Sequence, residues 1–380
     1  MAAPAAPKLI QLTGLRLVDF RNYPSCRLDF DRRFVVFTGE NGVGKTNLLE
    51  AVSLLSPGRG LRRATYTDMA RGGGSGGFAV RASLEGALDA VDIVTQVRPE
   101  PGGSAVRQVR IDDTPARSAD ELLDHLRLIW LTPAMDGLFT GPAGDRRRFL
   151  DRLVLTIDPA HGRRAADYER AMRSRNRLLA DRRMDDSWLA GIETQMADLG
   201  VAMALARGEL VGLLQAMIEA APDDSPFPKA DLTLASGYED EQLDRPAADL
   251  EESALRRLAQ SRALDAAAGR TLEGPHRADL SVLHRTKGMP AALSSTGEQK
   301  ALLIGLILAH AKLTGAVGGS APVLLLDEVA AHLDPGRRAA LFDLIEGLGV
   351  QAFLTGTDTI LFEALGERAQ RFDLPGDSHP

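Results

Sequence analysis

A glycine-rich loop lies between a strand pattern and a helix pattern near the start of the chain, and few folds can hold such a loop. An apolar run at residues 34–37 leads into the loop, and an apolar helical pattern begins at Asn47. The loop is a complete G-x-x-x-x-G-K-[ST] motif in the strand–loop–helix context that this motif requires. Its residues are Gly39, Glu40, Asn41, Gly42, Val43, Gly44, Lys45 and Thr46. Inward-facing backbone N–H groups and the start of the helix make such a loop an anion site, so we predict phosphate binding.

Two side chains of this loop carry further chemistry. Lys45 is expected to bridge the β- and γ-phosphates of a bound nucleotide. Thr46 offers a hydroxyl to Mg²⁺, a cation that prefers hard oxygen ligands. We therefore predict ATP and Mg²⁺ as cofactors. The alternative is a glycine-rich turn that fits the motif by chance, and the flanking strand and helix patterns disfavour it.

The second half of the predicted site lies far downstream. Residues 323–326 are an apolar strand pattern that ends in Asp327 and Glu328. An aspartate here holds the Mg²⁺ shell, and a following glutamate acts as the catalytic base that polarises the attacking water. Asp327 follows Lys45 by 282 residues, so a large insertion separates the two halves of one site.

Hydrophobic periodicity divides the chain into three parts. Strand patterns at 9–20, 34–37, 78–84, 91–97 and 106–111, largely an antiparallel meander, precede a short strand at 128–131. Helical patterns follow at 143–156, 160–183, 187–220 and 247–268, with a strand pattern at 231–235. The last part is mixed, with strands at 279–284, 322–326 and 350–355 and a helix at 298–313. We predict an α/β ATPase head in two halves, 1–131 and 271–380, split by a compact, mainly helical lobe at 132–270.

A polar segment stands directly before the helix at 298–313. It consists of Ser295, Thr296, Gly297, Glu298 and Gln299. By itself this is an ordinary N-cap before a core helix. One helix and a turn ahead of Asp327, however, it resembles the signature of ABC-type ATPases, and Asp334 matches their D-loop. In that class the signature of one subunit covers the γ-phosphate held by another, so the resemblance implies an ATP-dependent homodimer with two composite sites.

Further segments narrow the resemblance to the RecF family. They occur in the family's order: LVDFRNY (17–23), GENGVGKTN (39–47), LSPGRGLR (55–62), GPAGDRRRFLD (141–151), GPHRADL (274–280) and STGEQK (295–300). The helical insertion also lacks the many sustained heptads of a long coiled coil. The resemblance implies recombinational repair, binding of double-stranded and gapped DNA, RecR and RecO as partners and, indirectly, RecA loading.

Some positions depart from the family pattern. Ala134 and Ala278 stand where acidic residues are common, and residues 355–358 replace the switch histidine of ABC transporters. We therefore expect slow hydrolysis that acts as a timer. His276, in the G-P-H-R segment, is a catalytic base or a structural residue, and we favour the structural role.

The net charge of −7, from 45 basic and 52 acidic residues, is unevenly distributed. Residues 146–183 carry twelve arginines and five acids, which gives +7 there and −14 elsewhere. Phosphate contacts from such arginines give affinity without base sequence. The alternative is a solvated helical face of intrahelical ion pairs. The DNA-binding candidates are Arg146, Arg147, Arg148, Arg173 and Arg177, with Arg62 and Arg63 as a second group.

The composition indicates the cellular compartment of the protein. The single cysteine, Cys26, cannot form an internal disulfide, which favours a reducing cytosol. Residues 1–7 lack the pattern of a signal peptide, and the longest apolar run, 301–309, is too short to span a bilayer. We expect a cytoplasmic protein without a membrane span. Two other readings stay open: the ATPase subunit of a transporter, and a nucleotide-gated protein scaffold that does not itself contact DNA.

Overall fold

The computed structural model describes residues 10–86, 90–99, 105–181, 186–238, 243–319 and 321–375. These residues form two compact units. The P-loop unit comprises the described parts of Met1–Asp136, Pro222–Phe227 and Thr296–Pro380. The helical unit comprises those of Gly137–Ala221 and Pro228–Ser295.

Strands of both units are numbered in chain order. They are β1 (Gln11–Phe20), β2 (Tyr23–Asp29), β3 (Phe34–Thr38), β4 (Phe78–Glu85), β5 (Ala90–Pro99), β6 (Ala105–Ile111), β7 (Thr114–Pro115), β8 (Leu128–Leu131), β9 (Ala230–Ala235), β10 (Asp279–His284), β11 (Met289–Pro290), β12 (Val323–Leu326), β13 (Ala352–Gly356) and β14 (Ala369–Asp373). The α-helices are α1 (Lys45–Ser53), α2 (Tyr66–Met69), α3 (Ala143–Leu155), α4 (His161–Ala180), α5 (Asp186–Glu219), α6 (Ala247–Gln260), α7 (Arg262–Ala268), α8 (Thr296–Gly318) and α9 (Pro335–Leu348).

The P-loop unit contains two sheets. The parallel sheet has the order β14-β3-β13-β12-β8, and the antiparallel sheet the order β2-β1-β4-β5-β6-β7. Strands β3, β12 and β13 are buried along their whole length, as expected for a parallel sheet covered on both faces. The two sheets share one apolar core that includes Leu12, Phe37, Leu48 and Phe353. Because parallel strands end at the same edge, the loops after β3, β12 and β13 meet there.

A buried amide joins the antiparallel sheet to the parallel sheet. The Gln351 side-chain oxygen accepts from the Leu12 backbone N–H at 2.8 Å, and its Nε2 donates to the Leu12 carbonyl at 2.9 Å. Gln351 is 1% exposed, so both polar ends of the amide need partners inside the protein. The pair fixes β1 relative to β13 across 339 residues of sequence.

The helical unit is built around α5, which packs against α3, α4, α6 and β9. Its small sheet has the order β11-β10-β9 and is antiparallel. The ATPase head split by a compact helical lobe is thus confirmed. Within the described residues, the longest helix is α5, of 34 residues, and it packs inside its own unit instead of extending as a long coiled coil.

The unit boundaries differ from the sequence-based ones. The sequence pattern predicts that residues 271–295 belong to the ATPase head, whereas in the structure they belong to the helical unit. The reason is that β10 pairs antiparallel with β9 along its whole length. The other boundary lies at Asp136 instead of residue 131, after the turn that follows β8.

Most predicted elements are present, with local differences. The predicted helix at 247–268 is two helices, α6 and α7, which meet at Ser261. The predicted helix at 160–183 ends at Ala180, and Arg182 and Arg183 lie outside the described residues. The sequence pattern does not predict β2, β14 and α9, nor the short elements α2, β7 and β11. Strand β2 contains Pro24 and lies at a sheet edge, where alternation is weak and proline is tolerated.

Two described helices, α5 and α8, are long and apolar enough to cross a membrane by length and composition alone. In their most apolar windows, 44% and 61% of the residues are buried inside the protein. Core helices of soluble proteins pass the same test, so neither helix indicates a membrane protein.

A buried ion cluster holds the helical unit together. Arg175 is 0% exposed, and its guanidinium donates to Glu193 at 3.0 Å and to Asp265 at 2.6 Å. It also donates to the Leu258 carbonyl at 2.7 Å. Arg262 makes a second ion pair with Glu193 at 2.5 Å. The cluster therefore ties α4 to α5, α6 and α7.

Arg175→Met is expected to lower the free energy of unfolding of the helical unit by about 3–5 kcal/mol, because two buried carboxylates lose their shared cation. Urea unfolding followed by circular dichroism measures the effect. Arg173→Met is the matched control, since the Arg173 side chain is 62% exposed on the same helix. Equal unfolding midpoints for the two variants would contradict this account of the cluster.

Candidate nucleotide-binding site

The P-loop has the backbone shape that its glycines permit. Gly39, Gly42 and Gly44 have φ of 141°, 91° and 112°, the region that favours glycine. Gly44 is the N-cap of α1 and leads directly into Lys45. The Lys45 ammonium donates to the carbonyls of Gly39 at 2.7 Å and Glu40 at 2.8 Å. The lysine thus lies over the loop, where an anion in the nest would meet it.

The turn between β1 and β2 supports the loop from outside. The Asn22 amide donates to the Val43 carbonyl at 3.0 Å, and the Tyr23 hydroxyl to the Gly44 carbonyl at 3.3 Å. A Cβ on Gly44 would lie 2.6 Å from the Asn22 side chain and 2.7 Å from the Tyr23 hydroxyl oxygen. Burial raises the pKa of Tyr23, so its phenol stays protonated and able to donate. In the sequence, Asn22 and Tyr23 stand out only as part of the family segment at 17–23.

The carboxyl end of β12 brings the second half of the site to the loop. The Thr46 hydroxyl donates to Asp327 Oδ1 at 2.9 Å across 281 residues of sequence. Thr355, at the end of the neighbouring β13, donates to the same oxygen at 2.7 Å. The Asp327 backbone N–H donates to the Leu131 carbonyl of β8 at 2.9 Å. Three adjacent strands thereby position one carboxylate against Thr46.

Glu328 has an unusual backbone. Its φ of 54° lies in the left-handed region, which non-glycine residues adopt at a cost of about 1–2 kcal/mol. The Thr355 hydroxyl accepts from the Glu328 N–H at 2.9 Å and so helps to hold this conformation. Strained backbone of this kind is frequent at functional sites. Thr355 therefore orders both predicted acidic residues. In the sequence it is only one residue of the segment that replaces the switch histidine.

The donor set fits Mg²⁺. A hydroxyl and a carboxylate are hard oxygen ligands, and Mg²⁺ takes few ligands from protein when phosphates and waters complete its shell. In the described part of the chain, no group of three or more His, Cys, Asp and Glu side chains could hold a metal ion. A cation at Thr46 and Asp327 would therefore need additional ligands from a nucleotide or from water.

The first three residues of the signature segment are exposed. Ser295, Thr296 and Gly297 are exposed at the start of α8, Glu298 is partly buried, and Gln299 is buried. Asp334 is also exposed and is the N-cap of α9, where its carboxylate accepts from the Arg337 N–H at 2.9 Å. This hydrogen bond lowers the pKa of Asp334 and keeps it ionised at neutral pH.

Comparison with known proteins establishes the family. The model of the RecF/RecN/SMC N-terminal domain matches residues 11–371. A protein of Rhizobium etli (strain CIAT 652) named DNA replication and repair protein RecF is 64% identical over 369 residues, which are 97% of this chain and 98% of the relative. A protein of the same name from Rhizobium meliloti (strain 1021) is 61% identical over 96% of this chain and 97% of its own. The chain belongs to the RecF family.

Solved structures agree with this RecF-family fold. A structure of the recombination mediator protein RecF-ATPrS in the RecFOR pathway matches with a TM-score of 0.84 and 23% identity, over 97% of each chain. An Smc head domain from Pyrococcus furiosus matches with a TM-score of 0.52 and 16% identity, over 93% of this chain and 92% of that one. Membership of the RecF family disfavours the transporter subunit.

The arginine candidates of this RecF-family chain occupy different environments. Arg146 makes a bidentate pair with Asp279 at 2.7 and 2.9 Å, and Arg147 donates to the Ala278 carbonyl at 2.7 Å. Burial lowers the pKa of Arg147. Arg148 is 51% exposed and pairs with Asp145. Arg146 and Arg147 therefore brace the helical unit, whereas Arg148 reaches solvent.

The remaining candidates are more exposed. Arg173 is 62% exposed and lies 3.7 Å from Glu169, and Arg177 is exposed on the same helix. In the P-loop unit, the Arg62 guanidinium donates to Asn47 at 2.6 Å and to Glu50 at 3.2 Å. Arg63 is exposed and has φ of 56°. Arg62 is thus tied to the helix that follows the P-loop.

His276 has a structural environment. Its Nε2 lies 3.0 Å from the Thr271 carbonyl, which can only accept, so Nε2 carries the proton. Its Nδ1 lies 3.0 Å from the Tyr168 hydroxyl and accepts from it. Burial lowers the pKa of His276, which keeps the ring neutral near pH 7. Both ring nitrogens are occupied within the helical unit, which supports the structural role over the catalytic one.

Proposed function

We propose that this RecF-family chain is an ATP-gated DNA-binding protein of recombinational repair and replication restart in the cytoplasm. The observation that carries the proposal is the convergence of Thr46, Asp327 and Thr355 beside a P-loop lysine, with Glu328 next in sequence. This arrangement supplies an anion nest, a cation site and a carboxylate base at one edge of one sheet.

ATP binding would use groups that are already in place. The Lys45 ammonium would exchange two carbonyl partners for phosphate oxygens, which are stronger acceptors because they are charged. Thr46 and Asp327 would hold Mg²⁺, which neutralises phosphate charge when it is bound. The hydrogen bonds from Asn22 and Tyr23 hold the loop backbone in place, so little ordering cost would oppose binding.

Hydrolysis would rest on Glu328. Its carboxylate would accept a proton from the attacking water, and the strained backbone held by Thr355 fixes where the side chain starts. Residues 355–358 offer no histidine to assist the γ-phosphate. We propose weak, DNA-stimulated hydrolysis that acts as a timer for release.

Two exposed elements fit a second copy of the chain. Residues Ser295–Gly297 are exposed at the start of α8, a helix long enough to give a favourable field to an anion. Asp334 is exposed and ionised on the same unit. We propose that each copy covers the nucleotide held by the other, which makes a homodimer conditional on ATP.

DNA would be held through exposed arginines. Arg148, Arg173 and Arg177 are candidates for phosphate contacts, whereas Arg146 and Arg147 would orient the helix that carries Arg148. Dimerisation doubles any such surface and so couples ATP to DNA affinity. As the RecF resemblance implies, the dimer would act at double-stranded and gapped DNA with RecR and RecO and thereby promote RecA loading.

ATP is expected to strengthen binding to gapped duplex DNA by at least about tenfold, because a dimer engages two arginine surfaces at once. Fluorescence anisotropy with ATP, with ADP and without nucleotide measures the effect. Replacing Arg148, Arg173 and Arg177 together by glutamine should weaken binding and flatten its salt dependence, while Arg256→Gln, at a 59% exposed site on α6, should not. DNA affinity indifferent to nucleotide would favour the alternative, a nucleotide-gated protein scaffold.

A further inference from the structure

An exposed aromatic side chain lies beside a cleft of the helical unit. Trp188, in the first turn of α5, is 65% exposed. Large aromatic side chains are usually buried on average, so an exposed indole beside a cleft indicates a contact surface. The cleft lies between α4 and α5 and has a volume of about 370 Å³. This volume is enough for one planar ring system, and none of the lining residues belongs to the nucleotide site.

The lining combines apolar and cationic groups. Ala171 and Leu178 of α4 and Ile192 of α5 give it apolar walls beside Trp188. Arg170 and Arg177, seven residues apart on α4, also line it and therefore lie on one face of the helix. The cleft thus combines an aromatic side chain, apolar side chains and two cations, and Asp167, the ion-pair partner of Arg170, lines it as well.

Spacing along α4 suits a polyanion. Arg170 and Arg173 are 68% and 62% exposed, and Arg177 is exposed as well. A rise of 1.5 Å per residue places Arg170, Arg173 and Arg177 about 4.5 and 6 Å apart along the helix axis, near the spacing of phosphates in a single strand. Arg170 pairs with Asp167 and Arg173 with Glu169, but exposed pairs of this kind are weak and can be exchanged for phosphate.

We propose that Trp188 and this arginine row form a binding site for single-stranded DNA. One unstacked base would lie on the indole of Trp188, and Arg170, Arg173 and Arg177 would follow the backbone. In a duplex the base faces are covered by stacking, so Trp188 selects the single strand. The inference rests on the proposed function, since it names the part of gapped DNA that the helical unit would hold. An amphipathic protein helix is less suited, because it would set its apolar face against a row of hydrated guanidinium groups.

The test uses the full chain and a fluorescent fifteen-nucleotide oligo(dT) at low salt without nucleotide. Trp188→Ala is expected to weaken binding by about tenfold, the loss typical of one stacking aromatic, and Trp188→Phe to retain most of the affinity. Leu264→Ala is the matched control, because Leu264 is 63% exposed in the same unit and does not line the cleft. In a Trp130→Phe background, where Trp188 is the only tryptophan, the oligonucleotide should quench the emission.

Two results would overturn the proposal. The first is that Trp188→Ala and Leu264→Ala bind oligo(dT) with equal affinity. The other is quenching of Trp188 by poly-L-glutamate as strong as by oligo(dT), which would assign the cleft to an acidic polypeptide. A second binding measurement, on blunt duplex DNA with and without ATP, distinguishes failure of this proposal from failure of the proposed function. Trp188→Ala should bind the duplex like the unmodified chain, so loss of ATP gating would count against the proposed function alone.

Discussion

Lys45→Ala is expected to lower the affinity for ATP by about a hundredfold or more, which corresponds to at least about 2.7 kcal/mol. Lys45 is 4% exposed, and its ammonium donates to the carbonyls of Gly39 and Glu40, so it is held inside the loop before nucleotide arrives. No other lysine stands within the motif to replace it. A charge-assisted contact to phosphate in this partly desolvated place contributes more than one at the surface.

Isothermal titration with ATP measures this loss. The variant should remain folded, because the two carbonyls released by Lys45 face a loop that water can reach at the exposed residues Glu40 and Asn41. Lys312→Ala is the control, since Lys312 is exposed on α8 of the same unit. Unchanged ATP affinity in a folded Lys45→Ala chain would refute the phosphate-binding role of the loop.

Glu328→Gln is expected to reduce ATP hydrolysis by at least about a hundredfold while leaving ATP affinity within a few fold. Glutamine keeps the shape and the backbone position of Glu328 but cannot accept the proton of the attacking water. The contact from the Glu328 N–H to Thr355 is a backbone contact and survives the substitution. A loss of ATP turnover would therefore be due to the missing carboxylate and not to a rearranged backbone.

Phosphate release under saturating ATP and gapped DNA gives the rate. Glu363→Gln provides a matched charge change at an exposed position of the P-loop unit. If Glu328→Gln hydrolysed ATP as fast as Glu363→Gln, another group would have to be the base, and the proposed role of Glu328 would be wrong.

The nucleotide site could be predicted from sequence because its chemistry is concentrated in two short motifs. The loop from Gly39 to Thr46 carries its own strand and helix context, and Asp327 ends a strand of apolar residues. Parallel pairing then brings the two to one edge, where Thr46 lies 2.9 Å from Asp327. The residue pattern was enough to predict this site because few backbone conformations can accommodate these motifs.

The supporting residues could not be predicted in the same way. Asn22 and Tyr23 act through carbonyls of the P-loop, and Thr355 acts through a neighbouring strand, so their roles depend on pairing that the sequence does not display. The same applies to the arginines. Arg146 and Arg175 look alike in sequence, but one is a partly exposed brace to Asp279 and the other is the 0% exposed centre of an ion cluster.

The boundaries of the two units also could not be predicted from the local sequence pattern. Residues 271–294 lie next to the signature segment in the sequence. Strand β10 nevertheless pairs with β9, almost fifty residues earlier, and Asp279 at its start pairs with Arg146. Long-range pairing of this kind overrides proximity in sequence. Ser295, the first residue of the signature segment, is the last residue of the helical unit, and the chain returns to the P-loop unit at Thr296.

Light scattering of the Glu328→Gln chain with ATP and with ADP measures whether ATP joins two chains into a dimer with shared nucleotide sites. With ATP we expect twice the 40.7 kDa of one chain, and with ADP the mass of one chain. Adding Ser295→Arg should restore the monomer while the P-loop still binds ATP, because the bulky cation would stand at the exposed signature. A mass of one chain for Glu328→Gln under saturating ATP would contradict the shared-site account.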